Sequence, residues 1–146
     1  MALREIVQFP DPRLKEVSKP ISKVDEALRE LARDMIDVMY DEPGIGLAAP
    51  QVGASIRMFV IDTEWNEEDG ERNPMVVLNP EISDRVDKIT WEEGCLSVPD
   101  YAANVERDAI ITLRGKDLDG QPIEERAEGL RAVCIQHEVD HLDGVL

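Results

Sequence analysis

His137 and His141 are the only histidines in a chain of 146 residues, and they stand four apart in the run His137-Glu138-Val139-Asp140-His141. Four residues along an α-helix is about one turn, so both imidazoles leave the same face and can grip one metal ion. Glu138 lies beside them, where a carboxylate can take a proton from a water at the ion and hand it to a departing amine, as hydrolysis of an amide requires. A catalytic ion of this kind takes three protein ligands and keeps one position open. Only five residues follow His141, so the third ligand has to come from upstream: Cys95, Cys134 or a carboxylate. A thiolate is the softer and stronger ligand for zinc or ferrous iron. Cys134 stands three residues before His137 on the same face. Cys95 sits in Glu93-Gly94-Cys95-Leu96-Ser97, where a glycine lets the backbone approach closely and presents the thiol from a second element. Three ligands from one helix would hardly surround an ion, so geometry favours Cys95 and leaves Cys134 as a buried apolar residue. The plain alternative is a pair of partly buried histidines on a helix.

A further segment, Gly44-Ile45-Gly46-Leu47-Ala48-Ala49-Pro50-Gln51, is built of small residues. It suits a loop that another backbone approaches closely, including that of an extended peptide, and Gln51 could donate to a carbonyl oxygen. Taken alone it reads equally as a tight packing corner. No Lys-Ser/Thr follows to make it a phosphate loop.

These residues need elements to hold them. Val24, Ala27, Leu28, Leu31, Met35 and Met39 recur at three- and four-residue steps, and Ser22 and Asp25 are spaced like a capping box. The spacing predicts an amphipathic helix over Ser22 to Tyr40, stopped by Pro43-Gly44. Ile56 to Ile61 reads as a strand, and Val76 to Leu78, Ile89 to Trp91, Ala103 to Val105 and Ala109 to Leu113 as further short ones. Asp119-Gly120 is a hairpin turn before a strand around Ile123 to Ala127, and the acidic stretch Asp62 to Asn73 is a surface loop. From Gly129, the positions Leu130, Val133, Cys134, His137 and His141 return to helical spacing, with Gly144 as terminator. The expected class is α+β: antiparallel β-sheets around a C-terminal metal-binding helix, with an N-terminal amphipathic helix. Residues 1–146 form one expected domain, a size that buries about two-thirds of the unfolded surface.

Sixteen Lys and Arg against thirty-two Asp and Glu give a net charge of −16, which disfavours phosphate backbones and anionic membranes, so neither free nucleic acid nor a membrane is an expected partner. No apolar run reaches the roughly 18 residues of a membrane span, the start Met-Ala-Leu-Arg-Glu-Ile lacks a signal-peptide core, and two cysteines are too few for a secreted disulfide scaffold. A cytoplasmic location follows as the expectation.

Together the three segments, GIGLAAPQ at Gly44 to Gln51, EGCLS at Glu93 to Ser97 and HEVDH at His137 to His141, resemble the peptide deformylase family, which carries GxGxAAxQ, EGCLS and HExDH in that order. The resemblance spans essentially the whole chain. It implies a hydrolase that removes the N-formyl group from the formyl-methionine of nascent polypeptides and releases formate. By matching position, it implies Cys95, His137 and His141 as metal ligands, Glu138 as general acid and base, and Gln51 with the backbone N–H of Leu96 as oxyanion donors. The ion it implies is Fe(II), with zinc, nickel or cobalt able to take the same place. The methionine pocket it implies involves Ile45, Leu130, Val133, Cys134 and His137, with Trp91 and Glu93 near the rim and Gly44, Gly46 and Gly94 along the peptide groove. Two departures stand out: Ala102 occupies a position where some members carry an arginine that reaches the peptide, and the chain stops at Leu146 where many members continue into another helix, in some a ribosome-docking element. The short end is either natural, as in forms that some phages encode, or a truncation, and ribosome docking through that helix is unsupported. The competing readings are an HExxH zinc peptidase, which would cut internal peptide bonds, and a silent module, which would hold formyl peptides without releasing formate.

Overall fold

A computed structural model describes residues 6, 12–41, 44–63, 72–95 and 98–144, with positions 13, 15, 91–95 and 98–105 described by backbone alone. Helix α1 spans Glu26–Asp41. Its first turn is capped by Asp25, whose Oδ1 accepts the Leu28 N–H at 2.9 Å. The cap is therefore Asp25 rather than Ser22, and the helix begins at Glu26 rather than at the expected Ser22, because an aspartate both satisfies the orphan N–H and favours the positive end of the helix dipole. Leu28, Leu31, Ala32, Met35, Val38 and Met39 form its buried face. The Gly44 N–H donates to the Met39 carbonyl at 2.6 Å, and Pro43 lies outside the described residues.

Five antiparallel strands follow in chain order: β1 (Gly46–Ala48), β2 (Met58–Ile61), β3 (Met75–Cys95), β4 (Val98–Lys116) and β5 (Pro122–Glu128). Helix α2 (Gly129–Leu142) closes the chain of elements. The segment expected as a loop at Gly44 to Gln51 instead contains a strand at the sheet's edge, followed by a 3-10 turn over Ala49–Val52. Leu47 and Ala48 are fully buried, and pairing with Val60 and Phe59 satisfies a backbone that burial would otherwise leave costly.

The run Met58-Phe59-Val60-Ile61 is apolar throughout because both faces of β2 are covered. Met58 and Val60 pack with Leu47, Met35 and Met39 on the α1 side. Phe59 and Ile61 pack with Ala48, Val77, Ile111, Leu113, Cys134 and Ile135 on the α2 side. Each such side chain contributes on the order of 1.5–3 kcal/mol by leaving water. The four short strands expected between Val76 and Leu113 are two long ones. Among the described side chains their exposed positions are polar apart from Val86, so apolar runs mark the covered stretches. Register shifts near Leu78/Glu81 and Ser83/Val86 coincide with positive φ at Asn79 and Asp84. Asn79 turns the bulge to use: Oδ1 accepts the Ile21 N–H and Nδ2 donates to the Ile21 carbonyl, each at 2.7 Å. The Asp119-Gly120 turn forms as expected, with Gly120 at φ 77° and the Asp117 N–H bonded to the Gln121 carbonyl at 3.0 Å.

Candidate metal centre

Helix α2 is held in place by groups on three sides. Gln136, buried, donates from Nε2 to the Asp108 carbonyl at 2.8 Å and accepts the Asp108 N–H on Oε1 at 2.9 Å, so its amide acts as one more rung beside β4. Arg107 pairs with Asp140 within the HEVDH run. At the C-terminal end the Leu142 carbonyl accepts the Ser18 N–H at 2.7 Å and Arg57 Nη1 at 3.3 Å, and Gly144 turns away at φ 76°. The Asp108 carboxylate bonds Lys88 Nζ at 2.5 Å and Arg85 Nη1 at 2.7 Å, and these hydrogen bonds hold it below the usual carboxylate range.

This seating brings His137, Glu138 and His141 into one cluster, with ligand atoms within 4.8 Å of one another. The two Nε2 atoms stand 3.1 Å apart and the rings meet edge to face. Two nitrogens bound to one tetrahedral ion at about 2.0–2.1 Å would stand roughly 3.3–3.4 Å apart, so the observed pair fits a shared divalent metal. Glu138 and His141 are buried, while His137 is partly open.

Strand β1 lies against this helix. Cys134 Sγ faces the Ile45 carbonyl at 3.7 Å, and that carbonyl also accepts the Asp62 N–H at 2.9 Å. Asp62 is braced in turn by the Tyr40 hydroxyl at 2.5 Å and the Asn73 N–H at 2.7 Å. Burial, then the hydrogen bond to Asp62, pushes the Tyr40 phenol well above its ordinary value, so it remains a neutral donor. Gln51 is buried on the 3-10 turn, and its Oε1 accepts the Ala48 N–H at 2.9 Å. That bond fixes which end of the amide is the acceptor.

Of the remaining expected site residues, Val133 and Cys134 are buried on α2, whereas Leu130 on its first turn is 38% exposed. Gly44 and Ile45 are partly buried beside β1. Trp91, Glu93, Gly94 and Cys95 lie at the end of β3 by backbone, their side chains being outside the description, and Leu96 lies outside the described residues. Sequence reasoning missed Gln136, Arg107 and the Tyr40–Asp62 brace. The one signal for Gln136 was its place between Ile135 and His137, on a helix apolar on more than one face.

An antiparallel sheet with a histidine–glutamate–histidine helix against it defines a metal-dependent hydrolase of the HExxH kind. The sequence model described as Polypeptide deformylase matches residues 3–146. The chain is 52% identical over 146 residues to the peptide deformylase of Alkalilimnicola ehrlichii, covering 100% of this chain and 80% of that one. It superposes on the crystal structure of peptide deformylase from Thermotoga maritima with a TM-score of 0.93 at 41% identity, covering 100% of this chain and 95% of the other. A Met-Ala-Ser-bound class I type b peptide deformylase from Acinetobacter baumannii gives a TM-score of 0.92 at 34% identity, with 99% and 96% covered. The chain belongs to the polypeptide deformylase family.

Proposed function

We propose that this chain removes the formyl group from the N-terminal formylmethionine of nascent polypeptides in the cytoplasm, with one divalent ion, natively Fe(II), held by Cys95, His137 and His141. The observation that carries the reading is the convergence of the two Nε2 atoms at 3.1 Å beside a buried carboxylate. When bound, the ion would supply Lewis-acid activation of a water. Glu138, buried on the same helix, takes the proton that this water loses and delivers it to the amine that departs. Gln51 Nε2, oriented by the Ala48 bond, and the Leu96 N–H meet the negative charge that develops on the formyl oxygen. The edge strand β1 suits an extended peptide: alternation of the ladder uses the Leu47 backbone towards β2 and turns the Gly46 N–H and C=O outwards. Ile45, Leu130, Val133 and Cys134 surround the methionine side chain, with Trp91 and Glu93 at the rim.

The test is Glu138→Gln. The variant keeps the shape of the side chain without its proton chemistry, so formate release from a formyl-methionyl peptide falls by about 10²- to 10⁴-fold. Anomalous scattering at the metal edge should still place one ion about 2.0–2.4 Å from His137, His141 and Cys95. Turnover near wild type in fully metallated Glu138→Gln, or an ion bonded to Cys134 in place of Cys95, contradicts the assignment.

A further inference from the structure

Backbone conformation does not explain the glycine at position 46. Gly46 sits in β1 in register with Ile61, and its φ lies outside the left-handed range that Gly53, Gly120, Gly129 and Gly144 adopt. What a side chain here would meet is the catalytic carboxylate. A Cβ on Gly46 would stand 2.4 Å from Glu138 Oε2, 3.0 Å from Cys134 Sγ and 3.1 Å from Glu138 Cδ. These are the three nearest atoms, and none belongs to an imidazole. Glu138 is 4% exposed, so a carboxylate pushed from this seat has little solvent to move into. The carboxylate occupies the space that a Cβ at position 46 would fill, and α2 is pinned at Gln136 and Arg107 so that the helix cannot back away cheaply.

We propose that Gly46 is a positioning residue: the absence of its side chain forms the seat that holds the Glu138 carboxylate beside the two histidines. The proposal rests on the deformylase reading for what Glu138 does, while the seat itself is a matter of contact. A methyl group at position 46 displaces Oε2 without touching the metal-binding nitrogens. A misplacement of this size at a proton-transferring group costs on the order of 10² in rate.

The experiment combines Gly46→Ala with Glu138→Gln. Crystals of metal-free Gly46→Ala are expected to show the Glu138 carboxylate moved by about 1 Å or more, a readout that needs no activity. Nickel binding, followed calorimetrically, should stay within about threefold of wild type, while kcat for formate release falls about 10²-fold. In the Glu138→Gln background the same Gly46→Ala change should cost less than about threefold, because the proton transfer it disturbs is already gone. A carboxylate that does not move, an unchanged kcat, an undiminished loss in the Glu138→Gln background, or recovery of kcat on adding Cys134→Ala would each overturn the proposal. Should Gly46→Ala fail to fold, the Gly46→Ala/Glu138→Ala protein, lacking the obstructing carboxylate, is expected to fold, and its failure to do so also overturns the seat. Wild-type protein that binds nickel but releases no formate would defeat the deformylase reading instead, and the crystallographic comparison would still judge the seat.

Discussion

Asp108 shows how a residue remote in sequence from the HEVDH run supports it. Its backbone is the rung on which Gln136 rests, and its carboxylate, 8% exposed, ties that rung to Lys88 and Arg85 of β3. Both cations are more than half exposed, which limits what the pairs are worth, so Asp108→Asn should cost on the order of 1 kcal/mol at pH 7. Because the folded state holds the carboxyl below its ordinary value, this contribution is present above the unfolded pKa and is lost as pH falls through the folded one. Urea melts of wild type and Asp108→Asn should therefore differ at pH 7, begin to draw together only near about pH 4, and converge once pH has fallen below the depressed folded value. A gap that persists unchanged into acid would remove the charge from the explanation. Asp108 left no sequence signal, because an aspartate in a charged strand looks the same whether it faces solvent or a helix. The convergence of His137 and His141, with Glu138 beside them, was legible, since one-turn spacing fixes a shared face whatever the surroundings.

Among elements, α2 carries the metal-binding residues and its docking decides where they point. Gln136→Leu fills a similar volume but leaves the buried Asp108 N–H and C=O without the amide, a loss of about 2–3 kcal/mol. For a chain of this size the expected drop in Tm is roughly 5–10 °C, measured by thermal circular dichroism on the metal-free protein. A drop below about 1 °C would mean that β4 and α2 hold together without this clamp. The helix itself was readable from periodicity, and so was α1. Strands were less so: a run of β-formers marked β2 and the Asp119-Gly120 turn marked β5, yet short apolar runs split β3 and β4 into fragments, because a strand with one wet face spells apolar residues only where something covers it. The small residues of Gly44 to Gln51 concealed β1, since Gly and Ala carry little strand preference and only burial against α1 and α2 makes Leu47-Ala48 extend.

Across the whole molecule, β2 buried on both faces is the spine: α1 covers one side, α2 the other, and β1 at the sheet's edge comes to lie against the histidine helix. Segments some ninety residues apart, Ile45 and Cys134, meet through this sandwich, at a separation that no local pattern encodes. The three short motifs together still marked the family, and the chain's resemblance to known deformylases runs through its full length. The most direct test of the account titrates metal-free protein with nickel under argon and follows formate and free α-amine released from formyl-Met-Ala-Ser. The account predicts equal yields of both products, with a rate that rises linearly and levels at about one ion per chain. Folded protein that takes up the ion and releases no formate, or that cuts internal peptide bonds instead, would contradict it.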